Sequence, residues 1–222
     1  MITRDQFRKS AAISDALAAK WYPHLAAAME EFGINTPKRQ AYFIAQIGTE
    51  SGGFTVVRES LNYSVAGLAI FGSRLTAAQR EQLGRKPGEP ALSQERQAAI
   101  ANLVYGGRYG NNLNGDGWKY RGRGLKQVTF HDNYEACGKA LNLPLLASPD
   151  LLLEDANAAR SAGWFWQANN CNRFADASDV TGLTRKINGG TNGLSDRIGR
   201  TKVAEQERFA RPGFVLHAAA HL

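Results

Sequence analysis

Glu50 and Glu59 stand nine residues apart in the stretch TESGGFTVVRES. Glu50 falls in the last turn of a helix-like run, just before Gly52-Gly53, where a carboxylate faces the negative end of the helix dipole and its charged form is disfavoured. A glutamate kept un-ionised near neutral pH is what a general acid requires. Glu59 follows the turn in RESLNYS. Two glutamates facing each other over a groove are the arrangement of glycoside hydrolysis: one protonates the leaving oxygen, and the other activates water or stabilises positive charge on the sugar. Plainer readings stand beside these, Glu50 as a surface acid on a helix end and Glu59 as a partner of Arg58 or Arg74.

A second segment, YRGRGLKQVT from Tyr120 to Thr129, alternates glycine with other residues, which lets backbone run close to another chain or a ligand. Beyond Gly124 a strand would put Gln127 and Thr129 on one side. An amide beside a hydroxyl suits sugar hydroxyls, acetamido groups or a held water; RGRG alone equally suits a nucleic-acid backbone. Trp164 and Trp166 cannot share a helix face, so at least two of the rings in Trp164-Phe165-Trp166 belong to a core. Trp118, beside Asp116 and Gly117, is expected near a ligand.

Helical spacing dominates the elements that must position these groups. Helices are expected at about 4–10 and 14–32, the second interrupted by Pro23 and closed by Gly33. The next has Thr36 as N-cap, Pro37 at its first position and Gly52-Gly53 as its stop, with Ala41, Ile44, Ala45 and Gly48 on one core-facing side. Thr76 and Gln79 form a capping box for a short helix over about 76–83, ended by Gly84. Further helices are read at about 93–104, 131–141, 155–169, 178–187 and 194–210. The glycine- and asparagine-rich segment between Tyr105 and Gly124 reads as a small hairpin region or irregular lobe edge. The closing VLHAAAHL reads as a frayed end or an appended remnant.

The 222 residues suit one domain, with 43% apolar residues to build a core. Twenty-seven lysines and arginines against 20 acids give a net charge of +7, which favours polyanionic surroundings or serves as a solvated basic surface. Cys137 and Cys171 are too few for a disulfide scaffold; two reduced thiols are favoured over one bridge. His24, His131, His217 and His221 are scattered, so no metal is expected. The amphipathic start lacks the pattern of a signal peptide, and no stretch is long and apolar enough to span a membrane.

Four segments in order, AYFIAQIGTESGGF, YRGRGLKQVTFHDNY, PDLLLEDANAARSAGWFW and TRKINGGTNGLSDRIGR, resemble the family 19 glycoside hydrolases, which include plant chitinases and phage endolysins. ESLNYS and ANLVYGGRYGN resemble the phage and prophage branch. The resemblance implies a mainly α, lysozyme-like fold with two lobes around a cleft and a small β element, formed by residues 1–222 as a single catalytic domain without a separate wall-binding domain. It implies Glu50 as general acid, Glu59 as second catalytic glutamate and Thr129 as holder of the attacking water. Tyr120, Gln127, Asn133, Asn188 and Arg197 fall at groove or catalytic-network positions. An inverting reaction without metal or cofactor is implied, with carboxyls about 6.5–9.5 Å apart.

The expectation is therefore an endolysin that cuts β-1,4 bonds of peptidoglycan glycan strands, acting as a monomer with neither nucleic acid nor membrane insertion. It would accumulate in the host bacterial cytoplasm until released to the wall. A chitinase of the same fold is the nearest alternative; a non-catalytic wall-binding module and a basic nucleic-acid binder are the others.

Overall fold

A computed structural model describes residues 2–209, so the closing VLHAAAHL lies outside the described residues. In chain order the helices are α1 (Arg4–Ala11), α2 (Asp15–Glu31), α3 (Pro37–Glu50), α4 (Ala77–Leu83), α5 (Gln94–Tyr105), α6 (Asp116–Lys119), α7 (His131–Leu141), α8 (Asp155–Ala168), α9 (Asn172–Asp176), α10 (Val180–Asn188) and α11 (Leu194–Phe209). Short 3-10 turns at Gly67–Arg74 and Pro149–Leu153, like α6 and α9, were not foreseen from spacing, because each is shorter than the window over which periodicity shows.

Side-chain oxygens start these helices where the sequence has Ser and Thr. Thr3 and Thr76 form reciprocal boxes with Gln6 and Gln79, and Thr36 accepts from the Arg39 amide ahead of α3. The interruption expected at Pro23 does not occur: α2 runs through it. A proline there removes one backbone hydrogen bond. Burial of Trp21 and Leu25 on either side, with the Trp21 indole donating to the Phe54 carbonyl at 2.9 Å, holds the helix together regardless.

Three apolar clusters form the interior. The largest joins α1, α2, α3, α8 and α10 around Phe7, Trp21, Phe43 and Trp166. A second gathers Phe32, Tyr120, Val128, Tyr134 and Leu152 beneath α7. The third packs Leu61, Leu68 and Leu75 against α5. The one-sided burial expected of α3 is exceeded, since every residue from Gln40 to Gly48 is buried, and α11 packs along it. The expected hairpin between Tyr105 and Gly124 is a turn-rich loop carrying α6. The β element sits just downstream, where Arg123 and Val128 exchange backbone hydrogen bonds and Arg123 also pairs with Arg58.

Cys137 and Cys171 are buried, free thiols in different clusters. Burial pushes each up to about 12. Because the thiolate is the reactive form, neither cysteine is expected to react with a thiol reagent at pH 8 in the native protein, and both should react in denaturant. Rapid labelling of the native chain would show that these clusters open.

Candidate active site

Glu50 closes α3, and the turn that follows is built to reverse the chain. Ser51 accepts from the Phe54 amide, and Gly52, Gly53 and Phe54 all have positive φ, at 57°, 72° and 65°. Phe54 adopts this unfavourable backbone because its ring is buried edge-on against Phe7. The reversal returns the chain to Glu59, which meets the Tyr120–Phe130 segment: Glu59 N donates to the Gly122 carbonyl at 2.9 Å, and Gly122 N donates to Glu59 Oε2 at 3.0 Å.

Each carboxylate is held by donors from distant elements. Glu50, with its side chain 12% exposed, accepts from Lys126 Nζ at 2.9 Å and from Arg197 Nη2 at 2.5 Å. Arg197 also donates to Gln46 at 2.6 Å and the Asn192 carbonyl at 3.3 Å, so its planar fork sets the direction of Glu50. These two cations oppose the field of the helix dipole at the end of α3. A carboxylate has about four lone-pair sites, so each oxygen that accepts one N–H keeps room for a proton. On Glu59 the other oxygen accepts from the Tyr105 hydroxyl. Burial, reinforced by the Glu59 charge, raises Tyr105 well above the usual phenol range, so it remains the donor.

The segment between the two acids supplies the polar surface. Gln127 sits at φ 59°, so it occupies the tip of a tight turn rather than a strand, and the expected alternation with Thr129 does not arise. The two nevertheless border one hollow of ≈ 140 Å³ with Lys126, Asn133, Trp164 and Phe165. The Thr129 hydroxyl donates to the Gln127 carbonyl at 3.1 Å, the Gln127 amide donates to Gly124, and Asn133 donates to the Thr129 carbonyl. A second hollow of ≈ 300 Å³ is bordered by Glu59, Arg58, Trp118 and Arg121, among others, so Trp118 does lie beside the site. A further hollow, of ≈ 550 Å³, is lined by residues between Tyr134 and Ala147 and borders neither Glu50 nor Glu59.

Two expected substrate contacts are occupied elsewhere. Tyr120 is only 3% exposed, its ring packed against His131 and Tyr134 and its hydroxyl donating to the Leu146 carbonyl. It anchors the loop from below, which corrects the expectation of a groove contact. Asn188 uses both ends of its amide within its own turn, donating to the Asn192 carbonyl and accepting from Gly190 N. It thereby shapes the loop whose carbonyl receives Arg197. Lys126 and Tyr105 were missed because they meet Glu50 and Glu59 across 76 and 46 residues, and Gln46 because it meets Arg197 across 151. Only the position of Lys126 beside Gln127 hinted at a role. Among the described residues no three His, Cys, Asp or Glu side chains gather as a metal site.

A Cβ at position 122 would stand 2.8 Å from Gln127 Oε1 and 3.2 Å from Glu59 Cβ. Gly122→Ala is thus expected to displace Glu59 and lower kcat by roughly 10- to 100-fold, with the fold retained by circular dichroism. An unchanged kcat would show that this close approach does not set the position of Glu59.

The chain has relatives of known family. A family profile described as chitinase class I matches residues 93–188. A Haemophilus influenzae protein, described as glycosyl hydrolase family 19 domain-containing, is 38% identical over 201 residues, covering 83% of this chain and 92% of that protein. An Arabidopsis thaliana endochitinase is 41% identical over 97 residues, 43% of this chain and 34% of its own length. Chitinase C from Streptomyces griseus HUT6037 superposes with a TM-score of 0.58 at 22% identity, over 93% of this chain and 76% of that one. A bacterial family 19 chitinase does so with 0.56 at 24% identity, over 96% and 97%. These last two likenesses show the shared lysozyme-like helical fold, and the full-length relative shows the rest: the chain belongs to glycoside hydrolase family 19, the enzymes that hydrolyse O-glycosyl bonds.

Proposed function

We propose that the chain is a peptidoglycan-cleaving enzyme of the phage endolysin kind, in which Glu50 protonates the bridging oxygen of a β-1,4 bond while Glu59 steers water to the opposite face of the sugar. The observation that carries this reading is that one short loop touches both acids, Gly122 N on Glu59 at 3.0 Å and Lys126 Nζ on Glu50 at 2.9 Å. On this reading the segment that touches both acids sets their positions relative to the bound strand. Lys126 and Arg197 hold the Glu50 carboxylate left after proton transfer, and Tyr105 orients Glu59 toward the water. Thr129 has hydroxyl lone pairs free to accept from that water, since its proton is directed at the Gln127 carbonyl. One displacement by water inverts the anomeric centre, so a β-linked substrate yields an α product.

Peptidoglycan carries carboxylates and wall phosphates, and a protein of net charge +7 is drawn to such a surface. No helix among the described residues is long and apolar enough to cross a membrane. On this reading the enzyme works as a monomer, is held in the host cytoplasm, and reaches the wall when the inner membrane is breached. Chitin is the second reading, favoured by the endochitinase and chitinase names of the relatives; its strands share the β-1,4-linked N-acetylglucosamine but carry no charge.

Glu50→Gln and Glu59→Gln are each expected to lower reducing-end release from purified peptidoglycan by roughly 10²- to 10⁴-fold. Thermal melting should shift more for Glu50→Gln, whose carboxylate is paired with two cations. A Glu50→Gln enzyme with near-normal turnover would sink the assignment. Wild-type cleavage of soluble chitin oligomers with none of peptidoglycan would transfer the substrate to chitin, and NMR of the fresh product reads the anomer directly.

A further inference from the structure

The hollow beside Glu59 is bordered by two arginines and one carboxylate. Arg58, Ser60, Trp118 and Arg121 border the ≈ 300 Å³ hollow with Glu59 as their one carboxylate. Arg121 is 7% exposed and lies against Trp118, its guanidinium carbon 3.6 Å from the ring centroid. One terminal nitrogen donates to the Trp118 carbonyl at 2.8 Å, while its Nε is buried with no hydrogen-bond partner. Neighbouring Arg123 is taken up by Asp150 at 2.7 Å, but among the described residues neither Arg121 nor Arg58 has an ion-pair partner. Burial, followed by the charges of Arg123 and Arg58, pushes Arg121 down to about 10. Glu59 forms no ion pair with either arginine, its two oxygens accepting instead from Tyr105 and Gly122.

A guanidinium buried without an anion costs stability that a ligand can restore, and two arginines side by side match the two oxygens of a carboxylate. The geometry points to a subsite here for a carboxylate borne on the glycan strand, gripped by Arg58 and Arg121 one step from the catalytic Glu59. The enzyme then reads an acidic substituent on an N-acetylated sugar as well as the ring, and discriminates against neutral strands. The inference rests on the reading of Glu50 and Glu59 as the acids that cut a glycan, and it supplies the feature of that same cleft that selects the substrate.

The test compares kcat/KM on soluble strand fragments bearing free carboxylates, on the same fragments after amidation, and on neutral N-acetylglucosamine oligomers. The wild-type enzyme is expected to prefer the free carboxylate by roughly tenfold or more over the amidated form, chiefly through KM. Arg58→Gln, a change at an exposed position, should bring that ratio close to one. Arg121→Lys, which keeps the charge and loses the planar fork, should fall between. Equal wild-type rates on free and amidated fragments, or a ratio unmoved by Arg58→Gln, would overturn the subsite while leaving the catalytic reading intact. Calorimetric binding of the carboxylate fragment to Glu50→Gln protein, with and without Arg58→Gln, separates the two ideas without turnover. Binding weakened by Arg58→Gln supports the subsite even if no glycan is cut, and binding indifferent to it removes the subsite.

Discussion

The contact on which the site turns is the ion cluster of Glu50, Lys126 and Arg197, whose side chains are 12%, 12% and 4% exposed. Groups so withdrawn from water lose hydration that only mutual contact restores, and removing one member of such a cluster typically costs about 3–5 kcal/mol. The cluster joins three separate parts of the chain: the end of α3, the first turns of α11, and the loop after Gly124. Arg197 extends it inward to Gln46, one turn back on α3. A carboxylate at a helix end would otherwise fray with that end; here it is fastened from two sides by charge-assisted bonds that also fix where its oxygens point.

The loop that carries Lys126 needs its own foundation, and Arg123 provides it. Its guanidinium, 4% exposed, reaches Asp150, the Lys119 carbonyl and the Tyr134 hydroxyl, while Tyr134 donates in turn to the Arg121 carbonyl at 2.6 Å. Tyr120 and Tyr134 wedge this network into the second apolar cluster. Such an anchor explains how the segment sustains two strained residues, Gln127 at φ 59° and Phe130 at φ 76°, where each costs on the order of 1–3 kcal/mol. Phe130 recovers part of that cost by packing between Tyr105 and Tyr109. The strain lies beside Glu50 and Glu59, and the surrounding hydrogen bonds over-determine the loop that bears it.

Charge is distributed around the two acids with different purposes. The cations at Glu50 are spent on that carboxylate, whereas those beside Glu59 are largely unspent and face a hollow. Glu59 itself takes its hydrogen bonds from neutral donors, a phenol and a backbone amide. One acid is thus held by ions and the other by dipoles.

Much of the framework was readable from the chain alone. Ser and Thr at N-caps, Pro37 at a helix start and Gly52-Gly53 at its end are short-range signals, acting through hydrogen bonds and φ preferences within one turn. They placed α3 and put Glu50 in its last turn, and the order of four segments pointed to the family and hence the helical fold. What could not be read was which side chains meet the acids: Lys126 and Tyr105 reach them from 76 and 46 residues away, and Arg197, marked only by the family resemblance and without a partner, from 147. The helix dipole argument therefore met a site with two added cations, and Tyr120, next to the site in sequence, turned inward. Propensity and periodicity say which face of an element is apolar, but which side chains meet across elements follows from how those faces pack, a long-range choice made by the whole core at once.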